Sequence, residues 1–270
     1  MNIKGQLFDF SRPKIMGILN ITPDSFYKNS RVQTKTQLIK SAEQLVLSGA
    51  DILDIGANST RPNSTILSPA IELERLGESI LALRKEFPTT LLSLDTYFGE
   101  VAQFGIDQGI DIINDISAGQ FDPNLFKVLA KNKIPYILSY NRANEDNSTV
   151  FELNQKRIVS DAIAFLSRKK TALQELGCTD IIIDPGFGFG KSLNENHELL
   201  RNIEHLHILG APIMLGISRK SMIQKVLNCN SSEALNGTTA LHALALSKGV
   251  QIFRVHDCAQ MKEVILLMDR

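Results

Sequence analysis

Eight short apolar runs, each delivering a polar residue at its end, constrain this chain more than any single motif does. They are Ile15–Leu19, Asp51–Gly56, Thr90–Leu94, Ile110–Ile113, Pro135–Leu138, Ile181–Ile183, Pro212–Leu215 and Val250–Phe253. Rich in Ile, Leu and Val and almost without polar interruption, they read as strands buried on both faces. Helices are predicted between them over Thr36–Ser48, Glu72–Glu86, Phe98–Gln108, Pro123–Lys131 and Gln155–Leu176, then from Ser221, and finally over Gln260–Met268. Strands alternating with helices predict a parallel sheet. Eight such units in 270 residues suit an α/β fold closed as a (β/α)8 TIM barrel, a single domain over residues 1–270. An open doubly wound sheet calls for a Gly-x-Gly-x-x-Gly turn after the first strand, and the chain has none there.

Composition narrows the partners. Lys+Arg and Asp+Glu are both 29, so the formal charge is zero and neither nucleic acid nor an anionic membrane is expected as a partner. Cys178, Cys229 and Cys258 show no Cys-x-x-Cys spacing, which fits reduced thiols in a cytoplasmic protein. No apolar run approaches the ~20 residues of a membrane span, and the start, Met1–Gln6, lacks a signal-peptide core.

The barrel expectation gathers residues far apart in sequence. Asn20, Asp95, Asn114, Asp184, Lys220, Arg254 and His256 all fall at strand exits, the end where barrels of this kind carry their chemistry. Each has an ordinary alternative: a turn or N-cap role for Asn20, Asp95 and Asp184, a surface ion pair with Asp257 or Glu263 for Arg254, a structural role for His256. His205 and His207 read as a solvated helix end. All seven at one mouth is a different matter. Asp95, Asn114 and Asp184 offer acceptors and amide donors suited to a flat amino-pyrimidinone heterocycle, whereas Asn20, Arg254 and His256 suit a phosphate, directly or through a metal. Asp184 leads into Pro185-Gly186-Phe187-Gly188-Phe189-Gly190-Lys191, a loop that can approach a ligand closely. Ser218-Arg219-Lys220-Ser221 opens a helix, where free N–H groups favour an anion. The chain has no HExxH, GxSxG or P-loop motif.

Five motifs in order carry a resemblance: Asn20-Ile21-Thr22-Pro23-Asp24-Ser25-Phe26, Ser59-Thr60-Arg61-Pro62, Asp184 to Lys191, Ser218 to Ser221, and Arg254-Val255-His256-Asp257. Together they resemble the dihydropteroate synthase family of pterin-binding TIM barrels. The resemblance implies a homodimeric, Mg2+-dependent transferase that joins p-aminobenzoate to a dihydropterin methyl diphosphate. It implies pterin binding by Asp95, Asn114, Asp184 and Lys220, and diphosphate binding by Asn20, Thr60, Arg254 and His256, with Asn20 also facing the metal. It places Thr60, Arg61, Pro62, Phe189, Lys220 and Ser221 around p-aminobenzoate, and makes Lys220, Arg254 and His256 the catalytic group. The chain departs from the family pattern at Tyr27–Ser30, at Ala57-Asn58 and at Ser139-Tyr140-Asn141, where Met-His-Met is common. The loops of about Thr22–Thr34 and Ala57–Pro69 exceed the usual ~2–6 residues and read as lids. A methyltransferase using methyltetrahydrofolate and a corrinoid partner, or a catalytically silent pterin-binding homologue, remains open at this point.

Overall fold

The computed structural model describes residues 1–21, 31–57, 67–144 and 157–269. Its eight parallel strands are β3 (Lys14–Asn20), β4 (Ile52–Gly56), β5 (Leu91–Asp95), β6 (Ile112–Asp115), β7 (Tyr136–Ser139), β8 (Ile181–Asp184), β9 (Met214–Leu215) and β10 (Ile252–Val255). Hydrogen-bonded neighbours run β8-β7-β6-β5-β4-β3-β10-β9. A parallel bridge between Ile183 and Ile213 joins the two ends, and Ile183 N donates to the Pro212 carbonyl at 2.8 Å. The TIM barrel expected from the repeat is the fold observed.

Successive residues of a strand point to opposite sides, so each strand serves two cores. One set, including Leu53, Ile55, Leu92, Leu94, Ile113, Leu138, Ile183 and Phe253, packs outward under the helices in the larger apolar cluster. The other set points into the barrel, where Met16, Ile52, Ile112, Ile137, Ile182, Met214 and Ile252 form a separate buried layer. That layer also receives Ile3, with Met1, Phe8 and Phe10 against it. Ile3 belongs to an N-terminal hairpin of β1 (Asn2–Ile3) and β2 (Gln6–Leu7), which Met1, Phe8 and Phe10 flank. Lys4 and Gly5 have φ of 49 and 82°, the left-handed pair that a two-residue hairpin turn needs.

The helices are α1 (Arg31–Leu47), α2 (Pro69–Leu76), α3 (Ser79–Glu86), α4 (Gly99–Asp107), α5 (Leu125–Asn132), α6 (Ile158–Glu175), α7 (Leu193–Arg201), α8 (Ser221–Leu227), α9 (Leu235–Ser247) and α10 (Cys258–Met268). Three differences from the sequence reading have local causes. The helix expected over Glu72–Glu86 is two helices, because Gly77 adopts φ 42, ψ −127 between them. α7, absent from the sequence reading, starts on a capping box in which Ser192 and Glu195 satisfy each other's backbone N–H groups. Arg254 lies within β10, one residue before its end, so its side chain rises from inside the barrel.

Candidate active site

Two residues up from the apolar layer, the same strand faces turn polar. The register aligns Ile18 with Asp54 and Asp54 with Ser93, then Asn20 with Gly56, Gly56 with Asp95, and Asp95 with Asn114. Ser139 pairs with Asp184 on the far side. Period-two geometry therefore stacks polar groups on an apolar floor, all toward the carboxyl ends of the strands.

Arg254 is the centre of this layer. Its Nε donates to Asp54 Oδ2 at 2.6 Å and its Nη2 to Asp95 Oδ2 at 2.8 Å. The surface pair with Asp257 or Glu263 is therefore not formed; Asp257 instead holds Arg219, at 2.8 Å to both Nε and Nη2. Asp54 and Asp95 together raise the Arg254 pKa, more than offsetting the burial that opposes its charge. Burial pushes Asp95 up to about 7, with Arg254 opposing the shift and the nearby Asp54 adding to it. Asn20 projects its Oδ1 toward the same spot, since a Cβ on Gly56 would lie 3.5 Å from that oxygen and 3.6 Å from Asp95 Cβ.

Across the mouth, Asp184 is fixed at both oxygens. Gly186 N donates to Oδ1 at 2.9 Å and Ser139 Oγ to Oδ2 at 3.1 Å. Lys220 reaches over from the N-terminal end of α8, donating to the Phe187 carbonyl at 2.6 Å and lying 4.6 Å from the centre of the Phe189 ring. Gly188, at φ +86°, takes a left-handed conformation that favours glycine and brings the loop backbone into contact with the Lys220 stem. Burial lowers Lys220 to about 8, with Asp184 and Asp95 opposing the shift and Arg254 adding to it. His256 is exposed at the rim, its Nδ1 3.0 Å from Ser218 Oγ. Ser221 is exposed as the first residue of α8.

The glycine loop is held as firmly as the strand it follows. Lys191 Nζ donates to the carbonyls of Tyr140 at 2.8 Å and Gly186 at 2.7 Å. Gly188 N donates to Asn196 Oδ1 at 2.7 Å. A Cβ at Gly186 would sit 2.0 Å from the Tyr140 carbonyl oxygen. The Ser139-Tyr140-Asn141 segment is thus joined to the Asp184 loop through the Lys191 ammonium and through Tyr140 N, which donates to the Asp184 carbonyl at 2.9 Å.

Asp95, Asn114, Asp184, Lys220 and Arg254 are brought together, with Asn20 beside Asp95 and His256, Phe189 and Ser221 around the rim. Thr60, Arg61 and Pro62 lie outside the described residues, as do residues 22–30 and 58–66 of the two long loops. Arg75 Nη1 ties the base of the second loop, donating to the Ala57 carbonyl at 3.0 Å. Sequence reading missed Asp54, Ser93, Ser139 and Lys191. Asp54 carried a usable signal, because a charged residue inside a buried strand requires a partner.

No group of three or more His, Cys, Asp or Glu among the described residues could hold a metal. Beside Asp95 the mouth offers Asn20 Oδ1, a hard oxygen of the kind that an ion shared with a phosphate ligand and water would take.

Comparison with known proteins adds independent findings. The pterin binding enzyme family matches residues 16–256. A dihydropteroate synthase of Streptococcus pyogenes is 38% identical over 260 residues, 95% of this chain and 94% of its own. The Xanthomonas albilineans dihydropteroate synthase solved with 4-aminobenzoic acid superposes with a TM-score of 0.87 at 31% identity, covering 98% of this chain and 95% of its own. The same enzyme in complex with 7,8-dihydropteroate gives a TM-score of 0.84 at 28% identity, with the same coverage.

Proposed function

This chain belongs to the pterin-binding enzymes, among the dihydropteroate synthases, and from that premise we propose how its barrel mouth divides the work. The activity is the condensation of p-aminobenzoate with (7,8-dihydropterin-6-yl)methyl diphosphate, giving 7,8-dihydropteroate and diphosphate in folate biosynthesis. The methyltransferase alternative gives way to relatives that are synthases along 95% of the chain. The observation that supports the division is the convergence of three acceptor groups, Asp95, Asn114 and Asp184, with two cations, Lys220 and Arg254, on one polar layer.

In this reading Asp95, Asn114 and Asp184 accept hydrogen bonds from the donor edge of the pterin, and Lys220 holds the ring from the side of Phe189. Arg254 commits Nε and Nη2 to carboxylates and turns its remaining charge toward the departing diphosphate, with His256 and Thr60 at the rim. The pterin methylene C–O bond breaks first, its electron pair leaving with diphosphate. The cation left on the pterin faces the acceptors, which favour positive charge. The p-aminobenzoate nitrogen then forms the new C–N bond and releases a proton. Thr60, Arg61, Pro62, Phe189, Lys220 and Ser221 surround the p-aminobenzoate ring and its carboxylate. Asn20 Oδ1 would hold Mg2+, and the ion would supply charge neutralisation for the leaving diphosphate.

We propose a homodimer of single-domain chains on the family resemblance alone, and two coarser facts agree with a cytoplasmic setting. Among the described residues no helix is long and apolar enough to cross a membrane. The three cysteines are unpaired. Calorimetry tests the division of labour: Asn20→Ala weakens binding of the diphosphate substrate in Mg2+ and leaves binding of the diphosphate-free pterin unchanged. Unchanged affinity for both ligands removes Asn20 from the site.

A further inference from the structure

Asp54 lies beneath Arg254 in the polar layer and is 0% exposed. Its carboxylate accepts from three neighbours: Ser93 Oγ at 2.6 Å, Asn114 Nδ2 at 3.1 Å and Arg254 Nε at 2.6 Å. In all three bonds Asp54 is the acceptor. The Asn114 amide has one donor branch and one acceptor branch, and a neighbour that only accepts settles which branch faces it. The donor turns to Asp54 and Oδ1 turns away. That Oδ1 is buried and has no hydrogen-bond partner among the described residues. A buried acceptor left without a donor costs free energy that a bound N–H recovers.

From this geometry we propose that Asp54 is a positioning residue that sets specificity. It fixes the polarity of Asn114, so that the pocket presents an acceptor there, and it holds Arg254 against Asp95. The inference rests on the pterin site described above and adds a selection rule to it. With Asn114 locked, Asp95, Asn114 and Asp184 meet a ligand edge built of N–H donors and disfavour one that presents a ring-nitrogen lone pair at the Asn114 position. Asp54 touches no reacting atom.

Two substitutions separate polarity from charge. In Asp54→Asn the new amide can turn its oxygen to Asn114 and Arg254 and its nitrogen to Ser93 Oγ, so Asn114 keeps its orientation. In Asp54→Ala the acceptor is gone. Calorimetry with the diphosphate-free dihydropterin should show Asp54→Ala weakened about 10- to 100-fold and Asp54→Asn weakened by less than about threefold. The KM for p-aminobenzoate should stay near the parent value in Asp54→Asn. Equal losses in the two variants, or pterin affinity retained by Asp54→Ala, overturn the proposal.

A measurement on the parent protein decides the matter even if Asp54→Ala does not fold. The Asn114 side-chain N–H proton that points at Asp54 should exchange with solvent slowly and at the same rate with and without bound pterin. Protection that appears only on binding shows that the amide donates to the ligand, and overturns the proposal. If the parent binds no pterin, the site reading itself fails. A parent that binds pterin with Asp54→Ala unimpaired refutes only the role of Asp54.

Discussion

Two layers of the barrel interior, one strand pleat apart, show what the same backbone can be made to do. The lower is Met16, Ile52, Ile112, Ile137, Ile182, Met214 and Ile252. The upper is Asp54, Ser93, Asn114, Ser139, Asp184 and Arg254. Both are closed off from water almost completely, yet burial acts on them in opposite directions. In the lower layer it removes apolar area from water and stabilises the fold. In the upper it opposes every charge, and the layer persists because each ionised group has been given a partner. One layer holds the barrel closed, and the other stores the binding and catalytic groups at a cost the first can bear.

The largest expected effect on stability comes from the lower layer. Ile182→Ala should lower unfolding free energy by about 2–5 kcal/mol while the folded fraction binds pterin with parental affinity. Urea titration alongside calorimetry checks both halves. If affinity falls with stability, the two layers are not separable.

Next in size is the upper layer's effect on function. Asp184→Ala should weaken pterin binding by about 1–3 kcal/mol, because a ligand donor loses its acceptor. Lys220→Ala should cut kcat/KM for both substrates at least as deeply. Neither should melt far below the parent. For Lys220→Ala the melting point should hold or rise at pH 7, since burial lowers this lysine to about 8. Melting as low as the Ile182 variant would make these residues structural.

A third test uses pH. Glu72, in the first turn of α2, is 0% exposed and is pushed up to about 7 by burial, with a Thr96 contact opposing the shift. Its folded pKa lies above the ordinary 4.5, so its contribution is fully present below pH 4.5 and is lost as pH rises through 7. Asp95 behaves alike, from 3.8 to about 7. Lys220 has the opposite sign: its folded pKa is depressed, so stability returns as pH climbs from 8 toward its ordinary 10.5. The ligand-free protein should carry a dip in stability near pH 7–8 from these groups. Glu72→Gln should melt higher than the parent at pH 8 and no higher at pH 4. Equal melting at pH 8 would show that Glu72 holds no extra proton.

The smallest effect expected is at the rim. Ser221→Ala should weaken p-aminobenzoate, and a sulfonamide competing for the same place, by about 1 kcal/mol, because one hydroxyl is lost and the helix N–H donors stay. Competition kinetics measure it, and no change for either ligand takes Ser221 out of the pocket.

How much of this the sequence disclosed follows the same two layers. Buried strands announce themselves as uninterrupted Ile, Leu and Val, and their count with intervening helices leads to the barrel. Polar residues at strand ends stand out because they break the run, as Asp95, Asn114 and Asp184 do. Asp54 is harder to read because its run continues to Gly56, so only its charge inside a buried strand marks it. Its partner Arg254 is 200 residues away, and a surface pair with Asp257 or Glu263 fitted local spacing better. Ser139, where the family commonly has Met, replaces packing with a hydrogen bond to Asp184, an exchange visible only once β7 and β8 are in register. The split at Gly77 and the hairpin plug likewise depend on backbone angles and long-range packing that local propensity does not encode.

The central claim is that the upper layer is a working synthase site. Its most direct test follows diphosphate release and 7,8-dihydropteroate formation together, with purified protein, Mg2+, the dihydropterin diphosphate and p-aminobenzoate. The account predicts sustained turnover with one diphosphate released per dihydropteroate formed, abolished in Lys220→Ala. Tight pterin binding with no dihydropteroate formed under these conditions would contradict it.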